Sequence, residues 1–144
     1  NVNGNPFVIE YNVRMGDPES EVVIPRIKSD ILELFNSLGS EKFSDITLEI
    51  KEDAATTLML VSGGYPEAYE KGKVISGLEQ VKDSIIFHAG SKLAGDNILS
   101  NGGRVLALTS LHQSWKEALK LSYQSAKKID FEGMYYRKDI GFDL

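Results

Sequence analysis

The sequence predicts an α+β fold: a short strand and helix first, then a small, mostly antiparallel, barrel-like β-domain carrying one long helix. Three observations point there. Short β-branched and apolar segments are separated by Gly, Asn and Pro clusters, so the strand–helix–strand alternation of a parallel sheet is missing. Asn3-Gly4 and Asn101-Gly102-Gly103 are hairpin-turn sequences. Ser114-Trp115-Lys116-Glu117 has the spacing of a capping box, and Trp115, Ala118, Leu119, Ser122, Ala126 and Ile129 then share one helical face.

Taken in order, Asn3-Gly4 turns the chain into a strand over 6–13. Asp17-Pro18 reads as a helix start, Asp as N-cap and Pro at the first helical position, with Glu19 and Glu21 in the first turn. Pro25 should break or kink this helix. Ile27, Ile31, Leu34, Phe35 and Leu38 form an apolar stripe at helical spacing, and Gly39 is a good C-terminal stop. Residues 40–53 are polar, with a short strand candidate at 46–50, and a domain boundary is placed there. The two parts are therefore 1–53 and 54–144. Thr56–Val61 is a buried strand candidate ending in the turn cluster Ser62-Gly63-Gly64-Tyr65-Pro66. Ser84–Leu93 and Arg104–Leu111 are the strongest strand candidates, with a short one near Ile98 between them. After the helix that opens at Ser114, a tail follows over 132–141.

Composition removes several function classes. The chain has 144 residues, a net charge of −5 and no cysteine. Disulfides, zinc–thiolate sites and thiol nucleophiles are excluded, and the acidic balance argues against nucleic acid as a partner. No apolar run reaches membrane-spanning length and no signal-peptide pattern opens the chain, so no membrane partner is expected and a cytoplasmic setting is the default. The first residue is not Met, as in a trimmed end. Residues 1–53 carry 11 acidic and 5 basic side chains, residues 54–144 carry 10 and 11.

Two constellations carry chemistry. Glu10, Asn12 and Arg14 are spaced by two, so on a strand they share a face. Glu and Asn oxygens suit a hard divalent cation, and Arg neutralises the phosphate around it. The same alternation also describes a plain solvated strand face. The second constellation is Phe87-His88-Ala89-Gly90-Ser91-Lys92 with Gly102-Gly103-Arg104. A short hairpin joins the two, so Lys92 and Arg104 are within reach of converging, and two cations beside Gly-rich backbone suit a phosphate. Two exposed basic side chains at strand ends are the alternative. Asp17 and Glu19 have the structural role of helix N-terminal acids. His88 and His112 are too few and too far apart for a metal site. No nucleophile elbow is present, and Gly63-Gly64 lacks the Lys-Ser/Thr of a P-loop.

The run Glu10-Tyr-Asn-Val-Arg-Met-Gly-Asp-Pro-Glu19 resembles the metal-binding strand of the ATP-grasp superfamily, and more narrowly the phosphoribosylamine–glycine ligase family. Gly63-Gly-Tyr-Pro66, Phe87-His-Ala-Gly-Ser-Lys92, Asn101-Gly-Gly-Arg-Val-Leu106 and Tyr136-Arg-Lys-Asp-Ile-Gly141 extend the resemblance along the chain in family order. It implies that 1–53 is the last strand and helix of the ATP-grasp domain and that 54–144 is the substrate-phosphate domain. It implies an ATP-dependent ligase that joins glycine to 5-phosphoribosylamine through glycyl phosphate in purine synthesis. Glu10 and Asn12 would hold Mg²⁺ or Mn²⁺, and Arg14 would be the catalytic residue facing the transferred phosphate. Asp17 and Glu19 would lie near glycine, Lys92 and Arg104 would bind the 5′-phosphate, and His88 would line the substrate pocket. Ser91 stands where the family usually has Thr, and a hydroxyl remains. Arg137 and Asp139 would form a docking salt bridge. The N-terminal and ATP-clamp domains would lie elsewhere on the same polypeptide, so this chain alone is expected to be inactive, and self-association through its uncovered first part is expected. Another ATP-grasp ligase or carboxylase, or a non-catalytic module of the same fold, are the other readings.

Overall fold

The structure, a computed structural model, describes residues 2–144. Its strands are β1 (Ala54–Val61), β2 (Val74–Ile75), β3 (Ile85–His88), β4 (Ser91–Ala94), β5 (Asn97–Ser100) and β6 (Arg104–His112). Its α-helices are α1 (Ser20–Val23), α2 (Ile31–Ser37) and α3 (Trp115–Ala126). The strands form two antiparallel three-stranded sheets, ordered β1-β6-β3 and β2-β5-β4. The mostly antiparallel small domain with one long helix is as expected.

β6 is the spine. It pairs with β1 from Ala54↔His112 to Val61↔Arg104 and with β3 from Ile85↔Thr109 to His88↔Leu106. Val105 to Ser110 are all buried, so both faces of the strand are covered. Successive residues point to opposite faces. Leu58, Leu60, Val105, Leu106 and Leu108 pack with Ile75, Ala126, Ile129 and Phe131 into the core.

α3 lies on this sheet through small residues: Ala118, Ser122, Ser125 and Ala126 are its buried positions. Buried hydroxyls need partners, and here they satisfy one another. Thr56 Oγ1 lies 3.3 Å from Ser122 Oγ, and Ser122 Oγ donates to Ser110 Oγ at 2.9 Å. Ser110 and Ser84 are 2.7 Å apart, and Ser84 Oγ donates to Ser125 Oγ at 2.7 Å. The tail returns over β1: Val61 and Tyr135 exchange backbone bonds of 2.9 and 3.0 Å. Tyr123 Oη donates to the Arg137 carbonyl at 2.9 Å and accepts from Ile140 N at 3.3 Å. Gly77, at φ +82°, is needed where the chain crosses the Lys128 carbonyl, since any Cβ there would overlap that oxygen.

Several expectations are corrected. The turn at Asn3-Gly4 forms, with positive φ at both residues and Val2 paired to Asn5, but no strand follows over 6–13. A strand needs a neighbouring backbone, and none of the described residues pairs with this segment; Phe7, Val8, Ile9, Tyr11 and Val13 are all exposed. Asp17 caps nothing and Pro18 opens no helix: α1 begins at Ser20 after a turn, and the Asp17 carboxylate is engaged by Arg104 instead. The break expected at Pro25 is present: α1 passes into a 3₁₀ turn over Ile24–Arg26, and the chain restarts as α2, which ends just ahead of Gly39. At the start of α2, Asp30 accepts from Leu32 N and Glu33 N at 2.8 and 3.3 Å. The 46–50 candidate reduces to a single bridge, Ile27↔Ile50.

In the second part, the Ser84–Leu93 candidate is two strands in different sheets, divided at Ala89-Gly90. Gly90 is required at that bend, because a Cβ would overlap the Arg104 carbonyl and press on the Gly102 backbone. The capping box does not close: Ser114 sits at the N-cap without a side-chain bond, and Glu117 instead accepts from Lys120 at 3.0 Å.

Candidate functional site

Glu10, Asn12 and Arg14 lie on exposed, irregular backbone rather than on a strand. Glu10 and Asn12 still stand side by side, with Asn12 Nδ2 donating to Glu10 Oε1 at 3.3 Å. Arg14 turns to the Met15 carbonyl at 3.0 Å. Two adjacent side chains with hard oxygens fit a divalent cation as part of a ligand set, but Mg²⁺ takes about six oxygens. Among the described residues no three acidic or histidine side chains gather into a group that could complete it.

The loop that follows is closed on itself. Glu19 Oε2 accepts from Gly16 N at 2.6 Å, and Ser20 N and Oγ reach the Gly16 carbonyl at 3.2 and 3.3 Å. It is also tied to the β-domain. Arg104 donates to the Asp17 carbonyl at 2.8 Å and pairs with the Asp17 carboxylate at 3.2 Å.

The turn that presents Arg104 is rigidly bonded. Gly90 N donates to the Arg104 carbonyl at 2.8 Å and Asn101 N to the Gly90 carbonyl at 2.7 Å. Ser62 holds the far side, its Oγ and N reaching Gly102 and Gly103 carbonyls at 2.9 and 2.8 Å. Gly103 has no room for a Cβ because the Tyr65 ring lies on it.

His88, Ser91 and Lys92 line one cavity of about 310 Å³ with Leu93 and Ile98. His88 Nδ1 lies 2.7 Å from Ser91 Oγ. Lys92 forms no ion pair with any described residue. Arg104 faces a different cavity, also about 310 Å³, walled by Met59, Val61, Tyr65, Tyr135, Tyr136, Arg137 and Ile140. Lys92 and Arg104 therefore line separate cavities. The bend at Gly90 carries them into different sheets, although the two turns touch through backbone.

The tail pair behaves differently from the expectation as well. Arg137 and Asp139 bridge each other through two 3.0 Å bonds within the tail, and it is Tyr123 that docks the tail on α3. The Arg137 fork holds the Asp139 carboxyl below the usual carboxylate range, and Asp139 raises Arg137 in return. Lys73, beside Glu70 and Glu132 at 2.7 and 3.0 Å, is likewise raised by both, and it lowers Glu70.

Sequence reasoning missed the aromatic cavity around Tyr65 and Tyr135, and it missed Thr109. No periodicity joins Met59 to a tail 76 residues later. The signal for Thr109 was there: a Thr in the middle of the buried run Val105–Ser110 must find a hydrogen-bond partner.

The family described as "Phosphoribosylglycinamide synthetase, C domain" matches residues 55–143. Phosphoribosylamine–glycine ligase from Caldanaerobacter subterraneus is 42% identical over 135 residues, covering 94% of this chain and 32% of that protein. The ligase of the same name from Chlorobaculum tepidum is 44% identical over 141 residues, covering 96% of this chain and 33% of that protein. The chain thus spans about a third of the length of these relatives. Among solved structures, phosphoribosylamine–glycine ligase from Thermotoga maritima is similar, with a TM-score of 0.75 and 35% identity over 95% of this chain and 34% of that one.

Proposed function

The chain belongs to the phosphoribosylglycinamide synthetase C-domain family, and on that footing we propose that it is one wall of the active site of a longer ATP-dependent ligase. That ligase joins glycine to 5-phosphoribosylamine. Residues 1–53 end its ATP-clamp domain and residues 54–144 are its substrate-phosphate domain. The remaining domains of the same polypeptide supply most of the ATP site, so the 144-residue chain alone is inactive. No described helix is long and apolar enough to cross a membrane; a cytoplasmic setting is part of the proposal.

In the reaction, a glycine carboxylate oxygen takes the γ-phosphoryl group of ATP, releasing ADP. The amine of phosphoribosylamine then attacks the glycyl carbonyl, loses a proton, and expels phosphate. Neither step needs a protein nucleophile. Glu10 and Asn12 would hold Mg²⁺ or Mn²⁺ as part of a ligand set, and the ion would supply charge neutralisation for transfer of the phosphoryl group. Arg14, released from the Met15 carbonyl, faces the same group. Asp17 and Glu19 lie beside the glycine ammonium.

The observation that best supports the reading is Lys92. Its ammonium has no acid to pair with among the described residues, and it borders a cavity with a His88–Ser91 pair, as a receptor for a phosphate monoester requires. Arg104 keeps N–H donors beyond the two that Asp17 takes, and these remain for the same substrate. Lys92→Ala in the full-length ligase is expected to raise the KM for phosphoribosylamine roughly ten- to hundredfold, from a charged hydrogen bond of about 1.5–3 kcal/mol. The KM for ATP should stay near its starting value. Equal effects on both substrates would move Lys92 out of the phosphate site.

Residues 6–13, with Leu32 and Phe35 on α2 and Leu38 just beyond it, leave apolar surface without cover. A second copy is proposed to cover it when the 144 residues stand alone. Sedimentation velocity should show dimers or larger species for the 144-residue chain and a monomer for a chain beginning at Ala54. A monomeric 144-residue chain would refute self-association.

A further inference from the structure

We propose that Arg104 and Thr109, both on β6, are positioning residues for the Gly16–Glu21 segment, the loop and the first residues of α1, so that the spine of the β-domain sets where that segment stands.

The two holds are independent. Arg104 uses its planar fork on two oxygens of one residue, the Asp17 carbonyl at 2.8 Å and carboxylate at 3.2 Å. A guanidinium held by two divergent oxygens fixes orientation as well as distance, which a lysine does not. The second hold is a hydroxyl. Thr109 Oγ1 donates to the Glu21 carbonyl at 2.9 Å and lies 2.9 Å from Thr57 Oγ1. The Glu21 carbonyl needs this donor. In a continuing helix it would accept from the residue four further on, and that residue is Pro25, which has no N–H. Thr109 is fully buried, so its hydroxyl cannot turn to water instead.

The alternation of β6 makes both holds possible. Thr109 points away from the α3 face that Ser110 serves, toward α1. The loop itself is closed by Glu19 and Ser20 on Gly16, so fixing residues 17 and 21 fixes all of it. Arg104 therefore acts through Asp17 on the loop following the Glu10–Arg14 segment, in addition to any contact with substrate.

The test has a structural arm and a catalytic arm. Backbone ¹⁵N order parameters of the 144-residue chain are compared with those of Arg104→Gln and Thr109→Val. In each variant the Gly16–Glu21 amides are expected to fall from about 0.85 toward 0.6 or below, while the β1 and β6 amides hold their values. An unchanged loop overturns the inference. So does an equal loss across β1 and β6, which is general damage to the fold.

The catalytic arm rests on the ligase reading. In the full-length ligase, Arg104→Gln and Asp17→Asn are combined and kcat/KM for glycine is measured. If Arg104 works through Asp17, the double variant falls no more than about twofold below the worse single variant. Multiplying effects overturn the positioning role. Lys92→Ala separates the two readings: an unaltered phosphoribosylamine KM refutes the phosphate site, and the order parameters still decide the positioning role of Arg104 and Thr109.

Discussion

If the proposed ligase reading holds, replacing Glu10 by Ala in the full-length protein is expected to lower kcat about 10²–10³-fold while the KM for glycine changes little. Removing one preorganised group that stabilises charge in a phosphoryl-transfer transition state costs about that much. The loss should fall on kcat because the charge develops only as the phosphoryl group moves. Asn12 stands 3.3 Å from Glu10 and is left as the one hard oxygen donor of the pair. Raising Mg²⁺ should therefore recover part of the loss without restoring the full rate. Steady-state kinetics over a magnesium series measures both. Near-normal kcat at saturating magnesium would make Glu10 a solvated side chain on an exposed segment and nothing more.

Leu108→Ala is expected to be the most damaging change to stability. Leu108 lies at the centre of β6, opposite Leu58 on one side and Ile86 on the other, and is fully buried. Truncation removes its transfer free energy and leaves a cavity that neighbours on three strands cannot all move to fill. The cost is about 2–5 kcal/mol. For a chain of this size that lowers Tm by roughly 10 °C. Calorimetry on the 144-residue chain and on one beginning at Ala54 should give similar losses, because the contacts removed lie in the β-domain. A loss below about 1 kcal/mol would mean that β6 is not the spine described.

The β-domain was the more legible part of the chain. β1, β6 and α3 carry long apolar patterns, and their partners lie within the same domain, so local periodicity and tertiary burial agree. β2 was not seen because two residues hold no period. β3 and β4 read as one strand because periodicity does not register a bend, and the signal for the bend was Gly90 alone. The N-terminal part was less legible. An alternating pattern over 6–13 states a preference that needs a neighbouring backbone to become a strand. Asp17 looked like a cap, but Arg104 on a distant strand takes its carboxylate. The true cap, Asp30 with Glu33 three residues on, was present in the sequence and was passed over for the apolar stripe around it. Of the candidate site, Lys92, His88 and Ser91 were legible as one cluster. That Arg104 would face another cavity was not, because hairpin length constrains backbones and leaves side-chain direction free.

The hydroxyls between α3 and the sheet do more than satisfy one another. A helix presents the same face again about every 5.4 Å, and a strand about every 6.6 Å. The two repeats are incommensurate. Thr56, Ser84 and Ser110 on one side meet Ser122 and Ser125 on the other at one offset. A slide of a single turn would strand buried donors away from water. A greasy interface of the same area would let the helix creep; this one works like a vernier, with a single mark in coincidence. The chain leaving α3 inherits that precision. Tyr123 on α3 ties down Arg137 and Ile140, so the offset that the serines fix bears on where one wall of the aromatic cavity stands.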